Sequence, residues 1–330
     1  MKITVLGAGS WGATLATLLF ENGHNVTLWE FDAKRAKNLH DRKIKPFKEG
    51  IDLPSELVVT NSLESLKNSE VVLFVVPSQY MRSTCQLLKN REISFDKKLL
   101  ISATKGIENK TLLRMSEVID NVFKGVYKNI AVISGPSHAE EVCRKIPTVV
   151  TSTAENLETA EKCRVLFMND YFRVYNQTDI VGVEIGAALK NVFAIASGIV
   201  DGLKYGDNTK AAIVSRGLKE LIKVGVTLGG KEQTFYGLSG IGDLMVTCFS
   251  KHSRNRAVGQ AVGEGKTLDE AEKSLGMIAE GVKNTISAYE IGKKLNIDLP
   301  IINEVYAVLF ESKTPLKAVN ALMTRCPKHE

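Results

Sequence analysis

KITVLGAGSWGATLATLLFENGHNVTLW, residues 2–29, decides the fold. A short β-branched run at 2–6 feeds directly into GAGSWG at 7–12. Apolar and small residues at helical spacing follow over 13–21 and stop at Asn22-Gly23, and a second strand-like run begins at Val26. In such a strand–turn–helix–strand unit each glycine has a separate task. Gly7 permits the tight turn, Gly9 lets a pyrophosphate approach the backbone, and Gly12 permits close packing of helix on strand. The helix N-terminus around Ser10 and Trp11 offers free N–H groups and a partial positive charge. The loop therefore predicts dinucleotide binding. At the end of the second strand Glu30 and Asp32 are placed to accept from a ribose 2′-OH, which favours NAD. Lys34 and Arg35 follow at once and would suit a 2′-phosphate, so NAD and NADP both stay open. Phe31 flanks the adenine or packs as an ordinary aromatic.

Outward from this unit, residues 71–76 (VVLFVV), 99–103 (LLISA) and 130–134 (IAVIS) are continuous apolar runs, as expected of parallel strands covered on both faces. Ligands of open α/β sheets collect at the carboxyl ends of the strands, where Pro77, Lys105, Gly135 and Ser137 fall. Two further runs, 148–152 and 172–175, bring the sheet to about seven strands. From Asp179 onward the pattern becomes helical, with stretches at 183–200, 209–228, 254–263, 267–275, 284–294 and 302–310. The reading is α/β: a Rossmann-type parallel-sheet, NAD(P)-binding domain over residues 1–180, followed by an all-α substrate-binding and catalytic domain over 181–330.

Composition excludes several classes. Hydrophobic residues make up 44 % and charged residues 24 % of the 330, which is ordinary globular usage. The formal charge of +6 suits small anionic ligands and falls short of a nucleic-acid footprint. No uninterrupted apolar run approaches the length of a membrane helix, and no signal peptide precedes the first strand, so a cytoplasmic location without membrane insertion is expected. Cys85, Cys143, Cys163, Cys248 and Cys326 show no C-x-x-C spacing. They are expected to be buried free thiols, and no metal site is expected.

Three further constellations bear on chemistry. Lys190 sits in GAALKNVFAIA, residues 186–196, where a lysine is expensive to bury without a purpose. Partly desolvated, it would serve as an acid–base group; the plain alternative is a snorkelling surface lysine. Asp243, in GLSGIGDLMVT at 237–247, is either a helix N-cap or a buried partner for a lysine. Ser253-Arg254-Asn255-Arg256 stands before a helix, and hydroxyl, guanidinium and free N–H groups there suit a phosphate monoester; a plain N-cap with surface arginines is the alternative.

Together these segments, with ATKG at 103–106, ISGPS at 133–137 and EGVKNT at 280–285, resemble the bacterial-type NAD(P)-dependent sn-glycerol-3-phosphate dehydrogenases over nearly the whole chain. The resemblance implies a second domain of the 6-phosphogluconate dehydrogenase C-terminal kind. It implies reduction of dihydroxyacetone phosphate by NADH or NADPH, a homodimer, and a supply of glycerol phosphate for phospholipid synthesis. Lys190 looks like the catalytic acid–base, Lys105 like a contact to substrate and cofactor, and Asp243 like the orienting carboxylate. Gly135, Ser137, Asn191, Thr247, Ser253, Arg254 and Asn255 match substrate positions. Gly7, Gly9, Ser10, Trp11, Gly12, Glu30, Phe31, Ala139, Ile278 and Glu280 match dinucleotide positions, with Lys105 and Arg254 shared. His138 departs from the family pattern. The rival readings are a dehydrogenase of another 2-hydroxy compound and a non-catalytic dinucleotide-binding redox sensor.

Overall fold

The computed structural model describes residues 1–47, 52–91, 93–276 and 279–326. The chain divides into two compact units, residues 1–105 with 113–184, and residues 106–112 with 185–330.

The first unit is built on β1 (Lys2–Leu6), β2 (Asn25–Trp29), β3 (Val58–Thr60), β4 (Val71–Phe74), β5 (Leu99–Ser102), β6 (Ile130–Ser134), β7 (Thr148–Ala154) and β8 (Phe172–Gln177). These form one sheet in the order β3-β2-β1-β4-β5-β6-β7-β8. β1 lies between β2 and β4, and Leu6 pairs in register with both Trp29 and Phe74, so the carboxyl ends of β1, β2 and β4 come out level. Successive side chains alternate between two cores, as a pleated strand requires. Ile3, Val5, Val71 and Leu73 join the layer with α1 (Ser10–Glu21) and α6 (Leu157–Phe167), while Leu6, Val72 and Phe74 join the layer with α3 (Met81–Lys89) and α4 (Met115–Phe123). Two shorter helices, α2 (Ala33–His40) and α5 (Ala139–Val142), follow β2 and β6.

The sheet differs from the sequence expectation in two respects. It has eight strands among the described residues, because the apolar run at β3, Leu57-Val58-Val59, is too short to be read as a strand from sequence. Moreover, β7 runs antiparallel to β6, and β8 is parallel to β7, so the last two strands oppose the rest. An apolar run records burial and carries no direction, so the sequence does not show this reversal.

The division between units falls inside α7 (Ile180–Gly202), between Glu184 and Ile185. In length and composition this helix is apolar enough to cross a membrane, although Glu184 and Lys190 interrupt its apolar run, and 94 % of the 18-residue stretch that qualifies is buried within the protein. In the first unit the Glu184 carboxylate accepts from Arg114 Nη1 at 2.6 Å and from the Ser116 N–H at 2.8 Å. Four cysteines are buried, whereas Cys326 is exposed, against expectation.

The second unit continues through α8 (Asp207–Thr227), α9 (Glu232–Phe235), α10 (Asp243–Phe249), α11 (Arg254–Gly263), α12 (Leu268–Leu275), α13 (Glu280–Lys294), α14 (Pro300–Phe310) and α15 (Pro315–Met323). Residues 106–112 join it through polar contacts to α13. The Ile107 N–H donates to Asn284 Oδ1 at 3.3 Å, and Ser287 Oγ donates to Asn109 Oδ1 at 2.8 Å.

Glu220 of α8 takes the place of an N-cap for α14. Its carboxylate accepts the Ile301 and Ile302 N–H groups at 2.7 and 3.1 Å, and Pro300 at the first helical position needs no acceptor. Burial pushes this carboxyl up to about 7 despite those bonds. A carboxyl whose folded value lies above its unfolded one contributes stability in acid, and that contribution is lost as pH rises through the interval between the two. Stability of the native protein relative to Glu220→Gln is therefore expected to fall between pH 4.5 and 7, by at most about 3 kcal/mol. Parallel urea titrations at several pH values check this, and a pH-independent difference would contradict it.

Candidate active site

The loop after β1 has the geometry its glycines imply. Gly7 has φ +110°, and a Cβ there would stand 2.6 Å from the Val75 carbonyl oxygen. A Cβ on Gly12 would lie 1.8 Å from the Gly7 oxygen, so α1 approaches the strand turn more closely than any side chain permits. Gly9 differs, because a Cβ there would meet nothing within 4 Å. Gly9 is also the N-cap of α1, with no side-chain cap and no acidic residue in the first turn. The open space thus lies against a helix end whose cap residue supplies no side-chain acceptor, which fits a bound pyrophosphate. Trp11 Nε1 is buried without an acceptor among the described residues.

At the end of β2, Glu30 is largely buried and paired with Arg35, while Phe31 is 76 % exposed and meets Trp29 edge-on at 6.2 Å. Further along the carboxyl edge of the sheet, Lys105 Nζ donates to the Gly135 carbonyl at 3.0 Å, and Ser137 Oγ donates to the same oxygen at 2.9 Å. Lys105, Gly135 and Ser137 are therefore brought together within the first unit. Ala139 opens α5 and is buried. Ile278 lies outside the described residues, and Glu280 begins α13 in the second unit.

In the second unit Lys190 is buried in α7, and its ammonium meets the Asp243 carboxylate directly; the two side chains are 6 and 1 % exposed. Asp243 is thus a lysine partner at the start of α10, following the non-helical Gly240. Lys190 Nζ also donates to Thr247 Oγ1 at 2.8 Å, and that hydroxyl donates to the Asp243 carbonyl at 2.6 Å. Thr247 follows Asp243 by one helical turn, which sets both on the face turned to Lys190. Gly186 lets this arrangement form, since a Cβ there would stand 2.5 Å from the Ser239 oxygen just before α10.

The polar cluster opening α11 is joined to the lysine helix. Ser253 is the N-cap and accepts the Arg256 N–H at 3.2 Å, so the plain capping role coexists with the cluster. Asn255 Nδ2 donates to Asn191 Oδ1 at 2.9 Å, and Asn255 Oδ1 accepts the Gly281 N–H of α13 at 2.8 Å. The neighbours of Lys190 and Arg254 are in this way bonded to each other. A backbone crossing sets the spacing: a Cβ on Gly198 would lie 2.0 Å from the Arg256 oxygen, and one on Gly259 would lie 2.0 Å from the Ile195 oxygen.

Sequence reasoning missed the ion pairs that brace this crossing. Asp201 in α7 forms ion pairs with Arg256, Nε to Oδ2 at 2.6 Å, and with Lys210 of α8, Nζ to Oδ1 at 2.5 Å. Lys210 also stands 5.4 Å from the centre of the Phe249 ring. The signal available was the presence of all three charges inside or beside segments already singled out. Among the described residues no group of three His, Cys, Asp or Glu side chains is placed to hold a metal ion.

Comparison with known proteins bears on the whole chain. A family model described as the N-terminus of NAD-dependent glycerol-3-phosphate dehydrogenase matches residues 2–160, and its C-terminal counterpart matches residues 179–320. A glycerol-3-phosphate dehydrogenase (NAD(P)+) of Fusobacterium nucleatum is 48 % identical, covering 100 % of this chain and 98 % of that protein. One of Thermoanaerobacter sp. is 46 % identical, covering 100 and 99 %. The crystal structure of glycerol-3-phosphate dehydrogenase from Coxiella burnetii superposes with a TM-score of 0.91 at 35 % identity, covering 98 % of each chain. With matching models over both halves and near-half identity from end to end, the chain belongs to the NAD-dependent glycerol-3-phosphate dehydrogenase family.

Proposed function

We propose that this chain catalyses the reversible NAD(P)H-dependent reduction of dihydroxyacetone phosphate to sn-glycerol 3-phosphate. The observation that carries the reading is the Asn191–Asn255 hydrogen bond at 2.9 Å. It ties the helix bearing a buried, carboxylate-paired lysine to a cationic helix N-terminus suited to a phosphate monoester. Family membership supports the same assignment.

In this reading the first unit is the NAD(P)-binding Rossmann domain, holding the dinucleotide through Gly7, Gly9, Ser10, Trp11, Gly12, Glu30, Phe31 and Ala139. Ile278 and Glu280 are further contacts. When bound, the reduced dinucleotide supplies the hydride that adds to the C2 carbonyl carbon. The second unit is the substrate-binding and catalytic domain. Ser253, Arg254, Asn255 and the N–H groups opening α11 bind the phosphate, which a bidentate guanidinium and a helix terminus both favour. Arg254 also contacts the dinucleotide. Lys105, Gly135, Ser137 and Asn191 complete the substrate contacts, and Lys105 additionally contacts the cofactor.

Lys190 acts as an ammonium, donating a hydrogen bond to the C2 oxygen as negative charge develops and then transferring its proton there. In the oxidation direction the neutral amine takes the hydroxyl proton back. Asp243 and Thr247 hold the lysine side chain, because two of its three donors are already directed by fixed acceptors. This reading also places the protein in the cytoplasm as a homodimer supplying glycerol phosphate for phospholipid synthesis.

The defining assay is the absorbance decay of NADH or NADPH on addition of dihydroxyacetone phosphate; no decay with either would contradict the reading. Lys190→Ala is expected to lower kcat by about 10³-fold with dinucleotide affinity unchanged, the range for losing a positioned acid. Near-normal turnover would remove Lys190 from the mechanism. Arg254→Ala is expected to raise KM for dihydroxyacetone phosphate by about 30- to 150-fold, from the loss of about 2–3 kcal/mol of charged hydrogen bonding. With the dinucleotide saturating, the same variant should leave the weak turnover of unphosphorylated dihydroxyacetone within a few-fold. An equal loss on both substrates would show that Arg254 does not read the phosphate.

A further inference from the structure

Arg35, like Lys34, is placed by sequence to receive a 2′-phosphate, yet its donors are directed elsewhere. Nη1 donates to Glu30 Oε2 at 3.1 Å, and Nη2 donates to the carbonyl oxygens of Ala8 at 3.1 Å and Pro46 at 3.0 Å. The guanidinium thus spans the glycine loop, the end of β2 and the segment after α2. Its backbone is held as well, because Asp32 caps α2 by accepting the Arg35 N–H at 2.6 Å. Glu30 is constrained from the other side, its Oε1 accepting the Asp32 N–H at 3.2 Å, and its side chain is only 13 % exposed. Lys34, the other nearby cation, is exposed to solvent.

We propose that Glu30, strapped in place by Arg35, makes this protein select NADH over NADPH, with Arg35 serving to hold the carboxylate and the glycine loop instead of binding a 2′-phosphate. A carboxylate in this position accepts from a ribose 2′-OH and repels a phosphate dianion on the same oxygen. To receive that phosphate, Arg35 would have to leave two backbone carbonyls and Glu30, so this cation does not offset the repulsion without breaking the strap. Its bond to Ala8 also couples the ribose acceptor to the loop that takes the pyrophosphate. The inference rests on the dinucleotide-binding reading of this loop and goes beyond it by choosing between the two cofactors.

The test is fluorescence titration of the intact protein with NADH and with NADPH, without substrate, for native protein, Glu30→Gln and Arg35→Ala. Thermal melts should confirm that each variant is folded. The native protein is expected to bind NADH at least tenfold more tightly than NADPH. Glu30→Gln is expected to narrow the ratio to within about threefold by strengthening NADPH. Arg35→Ala is expected to weaken NADH severalfold without a selective loss of NADPH. Equal or tighter NADPH binding by the native protein would overturn the proposal, as would a selective loss of NADPH in Arg35→Ala, which would make Arg35 a phosphate clamp. Binding of neither dinucleotide by folded protein would overturn the dinucleotide reading as well, so the two failures are distinguishable.

Discussion

A buried ammonium needs a carboxylate beside it, and the second unit is arranged to supply one to Lys190. An unpaired lysine within an apolar helix would shed its proton, because burial disfavours the charged form. Asp243 supplies the countercharge, and Thr247 fixes where the nitrogen sits. The pair is weak evidence of stabilisation in itself, since desolvating two charges offsets most of their attraction. Its presence in a run of alanine, glycine and isoleucine is better explained by chemistry than by stability.

Holding that pair beside the Ser253–Asn255 cluster, which we propose as the phosphate site, requires helices nearer to one another than side chains allow. Gly186 brings the start of α10 to α7, and the reciprocal contacts of Gly198 and Gly259 set α11 against the same helix. Asp201, between Arg256 and Lys210, then ties the crossing electrostatically. The first unit solves a related problem at the glycine loop. There the close approach of Gly12 to Gly7 places the α1 N-terminus at the strand end, and Gly9 leaves the space in front of it open.

Much of this was legible in the sequence because the informative residues are near neighbours. The glycine loop, the strand before it and the helix after it lie within twenty residues, and both the turn and the helix end follow from local chemistry. Ser253 as a cap and Asn255 within the same cluster are local in the same sense. Other features depend on contacts between distant segments. Asp243 is 53 positions from Lys190, and a carboxylate after a glycine-rich turn reads equally well as a cap until the two helices are seen together. Asp201, Lys210 and Arg256 each look like surface charges alone. The pairing of Arg35 with the Ala8 and Pro46 carbonyls is likewise invisible where only its charge is read. Strand direction in β7 and the attachment of residues 106–112 to α13 leave no periodic mark at all.

The central claim is that the Lys190 ammonium delivers the proton to the C2 oxygen. Chemical rescue tests it most directly: Lys190→Ala is assayed for dihydroxyacetone phosphate reduction with increasing concentrations of small primary amines. The account predicts turnover that rises with amine concentration, depends on the amine's acidity and vanishes with amines too bulky for the space left by the side chain. Turnover that stays at the same residual level whatever the amine, in a variant that still binds dinucleotide, would contradict it.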